Sequence, residues 1–302
     1  MQQSTLLTYR RRAAEFYEWC VAEGASPWTP DEWGDTLMEY KATSALLKSH
    51  FTSLVAAVEF KFPRLKGRLS RCHAALRGWE LEHQTKHTVP MISTARAFIS
   101  VQLSARWEPR LAIGVVLQGK VGMRPSEMLG IVTSDLVFPE ESGYVRGRGP
   151  LIVGLGIKSN TKAKRPQANS IQESSDPALV GILRLLKART APGGRLFPYT
   201  LEKYRKLLNK IQTECSLPMG WSPHSPRAGF ASEASAMGMS FEQIRETGRW
   251  KVDSSLRVYV DMVQAAHIAV GLKSAGRGPA FDWAARHWAS TATRSLHATE
   301  GQ

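Results

Sequence analysis

Apolar residues recur at helical spacing along nearly the whole chain, and one Gly-rich stretch with alternating apolar residues, between Asp135 and Ile171, interrupts them. That contrast restricts the fold to a mainly α (α+β) arrangement with a small sheet. In the first part, Leu7, Ala14, Phe16 and Trp19, then Trp33, Leu37 and Tyr40, then Phe51, Leu54, Val55 and Val58 mark successive apolar faces. Gly24 with Pro27, Pro30 after Thr29, and Pro63 with Gly67 divide them into three or four short helices, Pro30 suiting a first helical position. The polar stretch from Gly78 to Pro90 reads as an interdomain linker. Helices are expected again from about Ile92 to Ser104 and from Pro109 to Lys120. Inside the interruption, Leu151, Val153, Leu155 and Ile157 share one face and Gly154 and Gly156 the other, the period of a strand. Helical spacing returns from Pro177 to Arg189 and from Leu201 onward. The Ala-rich stretch from Gln264, then Gly276, Gly278 and Phe281 to Trp288 predict a helix, a break and a short amphipathic tail. The expected organisation is a helical domain at 1–88, a mostly helical domain with a small antiparallel sheet at 89–273, and a C-terminal tail at 274–302.

A length of 302 residues suffices for two domains that bury cores without disulfides or metals. The net charge of +14, from 40 Lys and Arg against 26 Asp and Glu, predicts a polyanionic partner, although charge alone does not separate nucleic acid from an anionic membrane. Cys20, Cys72 and Cys215 are far apart and odd in number, which suggests neither a disulfide framework nor a zinc site and fits a reducing, intracellular setting. The N-terminal residues lack a secretory signal pattern, and the longest apolar run, near Leu111 to Leu117, is too short to span a bilayer. A soluble protein without a membrane partner is expected.

Two helix starts display basic residues. In Trp221-Ser-Pro-His224-Ser-Pro-Arg227, Ser225 is a natural N-cap and Pro226 a first helical residue, so His224 and Arg227 would flank unpaired N–H groups suited to an anion such as phosphate. In Gly122-Met-Arg124-Pro-Ser-Glu127, Arg124 is held extended before Pro125, and Glu127 falls where it can cap the helix or pair with a cation. Gly238 ends one helix, Ser240 with Gln243 forms a capping box for the next, and Gly248 ends that one. After Arg249-Trp250-Lys251, Asp253 and Ser254 should cap a helix carrying Leu256, Tyr259, Val260 and Met262. Each piece alone is equally an ordinary capped helix, a surface ion pair or an amphipathic tyrosine.

Jointly and in order, these residues resemble the tyrosine recombinase, or phage integrase, family: Arg124 in a Gly-x-Arg-x-x-Glu helix start, Lys158 in a β-hairpin, His224 and Arg227 as His-x-x-Arg, then Trp250 and Tyr259. The likeness extends over Pro109 to Val263, and the first domain is similar to the family's core-binding domain in layout. The segment Ala75-Leu-Arg-Gly-Trp79 is also similar to recombinases of retrotransposon-type mobile elements. Ala228 and Arg249 depart from the pattern, the second standing where glycine is frequent. Lys162, Lys164 and Arg165 share the hairpin with Lys158, and the choice of Lys158 rests on its directly following the alternating strand.

The resemblance implies an integrase-like fold and a site-specific recombinase that cleaves and rejoins double-stranded DNA through a 3′-phosphotyrosine. Tyr259 would be the nucleophile, Arg124 and Arg227 the phosphate grips, Lys158 the general acid, and His224 and Trp250 the supporting donors or base. Bidentate guanidiniums suit nonbridging phosphate oxygens, and nearby cations favour a phenolate whose ordinary pKa is about 10. Because the covalent phosphotyrosine conserves the bond energy, neither cofactor nor metal is called for. A homotetramer on DNA is implied, in the nucleus of a eukaryote or the cytoplasm of a bacterium. The segment containing Phe281, Trp283 and Trp288 would dock on a neighbouring protomer or pack on its own domain. Lys66, Arg68, Arg71 and Arg77 would line DNA or form a solvated helix face. Two other readings use the same residues: a catalytically silent DNA-binding descendant, and a type IB topoisomerase.

Overall fold

The computed structural model describes residues 3–82, 88–141, 149–155, 167–217, 219–251, 253–257, 259–260 and 277–300. The chain divides into two compact units, 1–86 and 87–302.

The first unit contains α1 (Gln3–Ala22), α2 (Pro30–Thr43), α3 (Lys48–Lys61) and α4 (Ser70–Glu82). Its core is aromatic, built on Phe16, Trp33, Tyr40 and Phe51 with Leu37, Leu54 and Leu69. Thr29 caps α2 and exchanges bonds with Glu32 in a capping box, and Pro30 supplies the first helical residue without losing a needed donor. Two local readings are corrected. The first helix is 20 residues long rather than short. Helix α4 also runs through Gly78 into the stretch expected as linker. The reason is Trp79, which meets Phe51 edge-on at 6.2 Å between centroids and lies under the Lys41 ammonium at 4.4 Å, so the apolar face continues past the glycine.

The second unit is built around α5 (Ser93–Ser104) and α6 (Pro109–Lys120), whose buried faces carry Ala95, Ile99, Leu103, Leu111, Ile113 and Val115. After the short α7 (Pro125–Gly130), strands β1 (Leu136–Val137), β2 (Leu151–Leu155) and β3 (Gln167–Ile171) form an antiparallel sheet in that order, with Val153 opposite Leu136 on one side and Asn169 on the other. Leu151, Val153 and Leu155 are buried, as their alternation predicts. Helices α8 (Pro177–Ala188), α9 (Leu201–Glu214), α10 (Ser225–Ala236), α11 (Phe241–Gly248) and α12 (Asp253–Arg257) follow. The fold is mainly α with a small antiparallel sheet, and no described helix is long and apolar enough to cross a membrane.

The end of the chain is not a short tail. Helix α13 (Gly278–Glu300) has 23 residues and packs on its own domain, with Phe281 stacked on Phe98 at 4.5 Å and 8° and the Ser295 hydroxyl donating to the Ser104 carbonyl at 2.9 Å. Phe281, Ala284, Ala292 and Leu296 recur at helical spacing and are buried, but Ser, Thr and His between them dilute the apolar signal. Phe281→Ala should therefore cost about 3–5 kcal/mol, the range for a buried phenylalanine. Urea unfolding of the full chain measures it, and an unchanged midpoint would place α13 outside the cooperative unit.

Candidate active site

The site is assembled where α7, α10 and α11 approach one another. Arg124 is the N-cap residue of α7, extended at φ −70 and ψ 151 as a residue before proline must be. Its backbone N–H donates to Glu127 Oε2 at 2.8 Å, and its Nη1 donates to Glu127 Oε1 at 2.6 Å. Nη2 reaches across to the Arg249 carbonyl at 3.1 Å. The Glu127 carboxylate is shared, because Arg249 Nη2 also donates to Oε2 at 2.8 Å. Side-chain exposures of 7% for Arg249 and 9% for Glu127, against 34% for Arg124, make the first two a buried pair and leave Arg124 the accessible member. Burial works to raise the Glu127 pKa, but Arg249, the Arg124 N–H and the Arg124 side chain outweigh it and hold the carboxyl below its usual range.

Helix α10 brings His224 and Arg227. The cap is one residue earlier than expected: His224 occupies the N-cap position without a side-chain cap bond, and Ser225 is already helical. The Ser225 hydroxyl instead accepts from the Ser222 N–H at 2.9 Å, tightening the turn before the helix. The Ser225 carbonyl accepts from the Met91 N–H at 2.9 Å and Gln118 Nε2 donates to the Pro223 carbonyl at 2.7 Å, so the segment leading into α5 and helix α6 fix this turn.

Arg227 is 6% exposed. Its Nη1 donates to the Gly122 carbonyl, and its guanidinium lies 3.8 Å from the centroid of the Trp250 ring. Gly122 sits at φ +62, and a Cβ there would come within 2.7 Å of the Phe230 ring, so glycine is needed both for the turn and for the closeness. Burial first, then the Arg124 guanidinium, pulls the Arg227 pKa down to about 9. Among the described residues no carboxylate lies within ion-pair distance of Arg227. His224 stands at the surface on the same turn, and desolvation, then Arg227, Arg124 and Arg205, lower its pKa, which keeps the imidazole neutral at neutral pH.

Trp250 and Tyr259 belong to a separate small apolar cluster with Phe230, Ala231, Ala234, Ile244 and Leu256. Their rings are 6.2 Å apart at 49°. The described helix α12 ends at Arg257, and Tyr259 follows in a turn, its N–H donating to the Leu256 carbonyl at 2.8 Å and its carbonyl accepting from the Ser232 hydroxyl of α10. The tyrosine is thus anchored by its backbone beyond the helix, where a place on that helix was expected; Met262 lies outside the described residues. The phenol is half-buried and is among the groups acting electrostatically on Arg227.

Arg124, His224, Arg227, Trp250 and Tyr259 are therefore brought together. Lys158, with Lys162, Lys164 and Arg165, lies outside the described residues, between antiparallel β2 and β3 in the chain. Sequence reasoning noticed Glu127 as a capping or pairing group but missed that Arg249 is its partner. It also missed Asn169 of β3, whose amide donates to the Val121 carbonyl and at 3.2 Å to the Thr247 carbonyl, tying the sheet to the Arg124 turn and to α11.

The integrase of transposon Tn1549, in complex with transposon right-end DNA, superposes with a TM-score of 0.59 at 16% identity, covering 90% of this chain and 95% of that one. The XerH site-specific recombinase, in a post-cleavage complex with palindromic difH DNA, gives 0.52 at 12% identity over 82% of this chain and 72% of that one. The chain has the fold of the tyrosine recombinases. No protein-family model and no curated protein sequence matches the chain. Within this fold, Arg124, His224 and Arg227 fall at the starts of α7 and α10, and Trp250 just past the end of α11.

One residue of this site is set by sterics. Helix α11 ends at Gly248, yet the left-handed residue is Arg249, at φ 59 and ψ 44. Gly248 is required for a different reason: a Cβ there would lie 1.6 Å from the Trp250 ring. A helical Gly→Ala exchange ordinarily gains about 0.5–1 kcal/mol. Gly248→Ala is expected to lose stability instead, and to recover the ordinary helical gain when made in a Trp250→Ala background. Urea unfolding of the four proteins closes this cycle; a gain in the parent chain would show that the ring has room to move.

Proposed function

We propose that the chain is a site-specific DNA recombinase or integrase of the tyrosine recombinase family that breaks and rejoins double-stranded DNA through a 3′-phosphotyrosine. The observation that carries this reading is Arg227: a guanidinium buried against Trp250, next to Arg124, with no carboxylate of its own among the described residues. Taking a cation out of water costs several kcal/mol unless it is paired. Trp250 contributes a cation–π attraction of about 2 kcal/mol when desolvated, but the missing partner is an anion, and a phosphodiester supplies one.

In the reaction proposed, the Tyr259 phenol attacks phosphorus, the new bond is phosphotyrosine, and the bond broken is that to the 5′-oxygen. Neutral His224 accepts the phenol proton or hydrogen-bonds the phosphate, while Arg124 and Arg227 take the charge that develops on the nonbridging oxygens. The 5′-hydroxyl leaves with a proton from Lys158, or from Lys162 or Lys164, the lysines that lie between β2 and β3 in the sequence. Attack by another 5′-hydroxyl reverses the chemistry and reseals the strand without cofactor or metal. The net charge of +14 suits duplex DNA as the partner, and strand exchange between two duplexes calls for a homotetramer on DNA.

Incubating the protein with nicked duplexes and resolving the products under denaturing conditions tests this directly. The parent chain should leave a covalent adduct; Tyr259→Phe should leave none while binding DNA with unchanged affinity. DNA binding with no adduct from any substrate would favour a silent DNA-binding protein. Arg227→Lys keeps the charge but loses the fork, and loss of one such transition-state donor should slow adduct formation by about 10²–10³. His224 must be neutral to accept a proton, and its pKa is lowered, so at subsaturating DNA the rate should fall in acid with a midpoint below the ordinary imidazole value of about 6.5. A midpoint above that value, or an identical acid limb in His224→Ala, would remove His224 from the proton path.

A further inference from the structure

We propose that Arg249 is a positioning residue, whose buried guanidinium neutralises Glu127 so that Arg124 is held in place while its own charge stays available to a phosphate. The proposal rests on the recombinase reading and adds to it a residue outside the set that touches DNA. Arg249 acts at two points. Its carbonyl accepts from Arg124 Nη2 at 3.1 Å, and its guanidinium donates to Glu127 Oε2 at 2.8 Å. Glu127 in turn grips Arg124 through the backbone N–H and Nη1, at 2.8 and 2.6 Å.

The charges decide the matter. Arg124 and Glu127 alone form a neutral pair, and a carboxylate beside a bound phosphodiester repels it. With Arg249 the group of three carries one net positive charge. The more buried pair is Arg249 with Glu127, at 7% and 9% exposure, so the carboxylate is spent inside the fold and the half-exposed Arg124 faces outward. The backbone agrees with this assignment. Arg249 is held in the left-handed region, which glycine adopts without strain and arginine does not. Its Nη1 donates to the Thr247 carbonyl at 2.9 Å, and its Nε is buried with no hydrogen-bond partner, so the side chain is retained at that place against both strain and desolvation.

Arg249→Gly is the informative change, because it relaxes the backbone and keeps the carbonyl that receives Arg124. The expected result in single-turnover assays on nicked duplexes is adduct formation at least 10-fold slower at saturating DNA, with DNA affinity within about 2-fold of the parent, and substantial recovery in Arg249→Lys. A rate equal to the parent's, or an equal loss in Arg249→Lys and Arg249→Gly, would overturn the charge-balancing role. A second measurement does not depend on cleavage. Guanidinium N–H resonances of Arg124, assigned with Arg124→Lys, are followed during titration with inorganic phosphate. They should respond in the parent chain and respond far less in Arg249→Gly; an equal response overturns the proposal. Absence of any adduct from the parent chain counts against the recombinase reading, and the phosphate titration then still decides the role of Arg249.

Discussion

Everything at the candidate site follows from placing a guanidinium where water is excluded. Arg227 lies under an indole, bonded to a backbone carbonyl, on the first turn of a helix packed into the domain. Such a group is tolerable only if its surroundings are fixed, because any rearrangement would leave the cation with neither water nor partner. Glycine at 122 lets the carbonyl and the Phe230 ring come close, glycine at 248 makes room for the indole, and the Ser232 hydroxyl of α10 holds the Tyr259 backbone nearby. The apolar cluster of Phe230, Ile244 and Leu256 around Trp250 and Tyr259 then ties the proposed nucleophile and, through the indole, the proposed phosphate grip Arg227 to one packing unit.

The scaffold beneath transmits that rigidity through buried, hydrogen-bonded polar groups. Gln118 donates to the Pro223 and Met123 carbonyls and accepts from the Tyr204 hydroxyl, so one amide on α6 fixes the turns that carry both His224 and Arg124. Arg96 of α5 donates to the Met91 carbonyl at 2.8 Å and to Glu233 of α10 at 2.7 Å, setting the helix that bears Arg227. A satisfied buried network specifies one arrangement more sharply than apolar contact does, because every alternative leaves a donor or acceptor unpaired.

What could be read from the sequence divides along the same physical line. Helix α6 begins at Pro109 and ends at Lys120 as its punctuation predicts, and β2 shows the alternation that Leu151, Val153 and Leu155 announce, because these signals are local. Arg124 and Arg227 stood out for the same reason, each beside a proline that opens a helix. The failures came where a tertiary contact overrides a local rule. Gly78 looked like a break until Trp79 found Phe51 and Lys41. Ser225 looked like a cap, but its hydroxyl serves the preceding turn. The last helix looked short because its buried face is built partly of alanine and serine, small residues that let α5 approach closely.

Gly248 and Arg249 carry this lesson furthest. By local rules the glycine should occupy the left-handed position at the end of α11, and the arginine should follow beyond it. The structure reverses them. A side chain at 248 would collide with Trp250, so the glycine is used for space; the left-handed conformation passes to Arg249, whose carbonyl and guanidinium thereby face Arg124 and Glu127 together. Glycine at 249 would satisfy the backbone and leave Glu127 without its buried cation. The strain at Arg249, about 1–2 kcal/mol for a left-handed non-glycine residue, is accepted where its guanidinium gives the Glu127 carboxylate a buried partner in addition to the half-exposed Arg124. The arginine therefore changes the charge of the group rather than rescuing an unpaired carboxylate, and the two positions have to be understood as one interaction rather than as a helix end with an incidental basic neighbour.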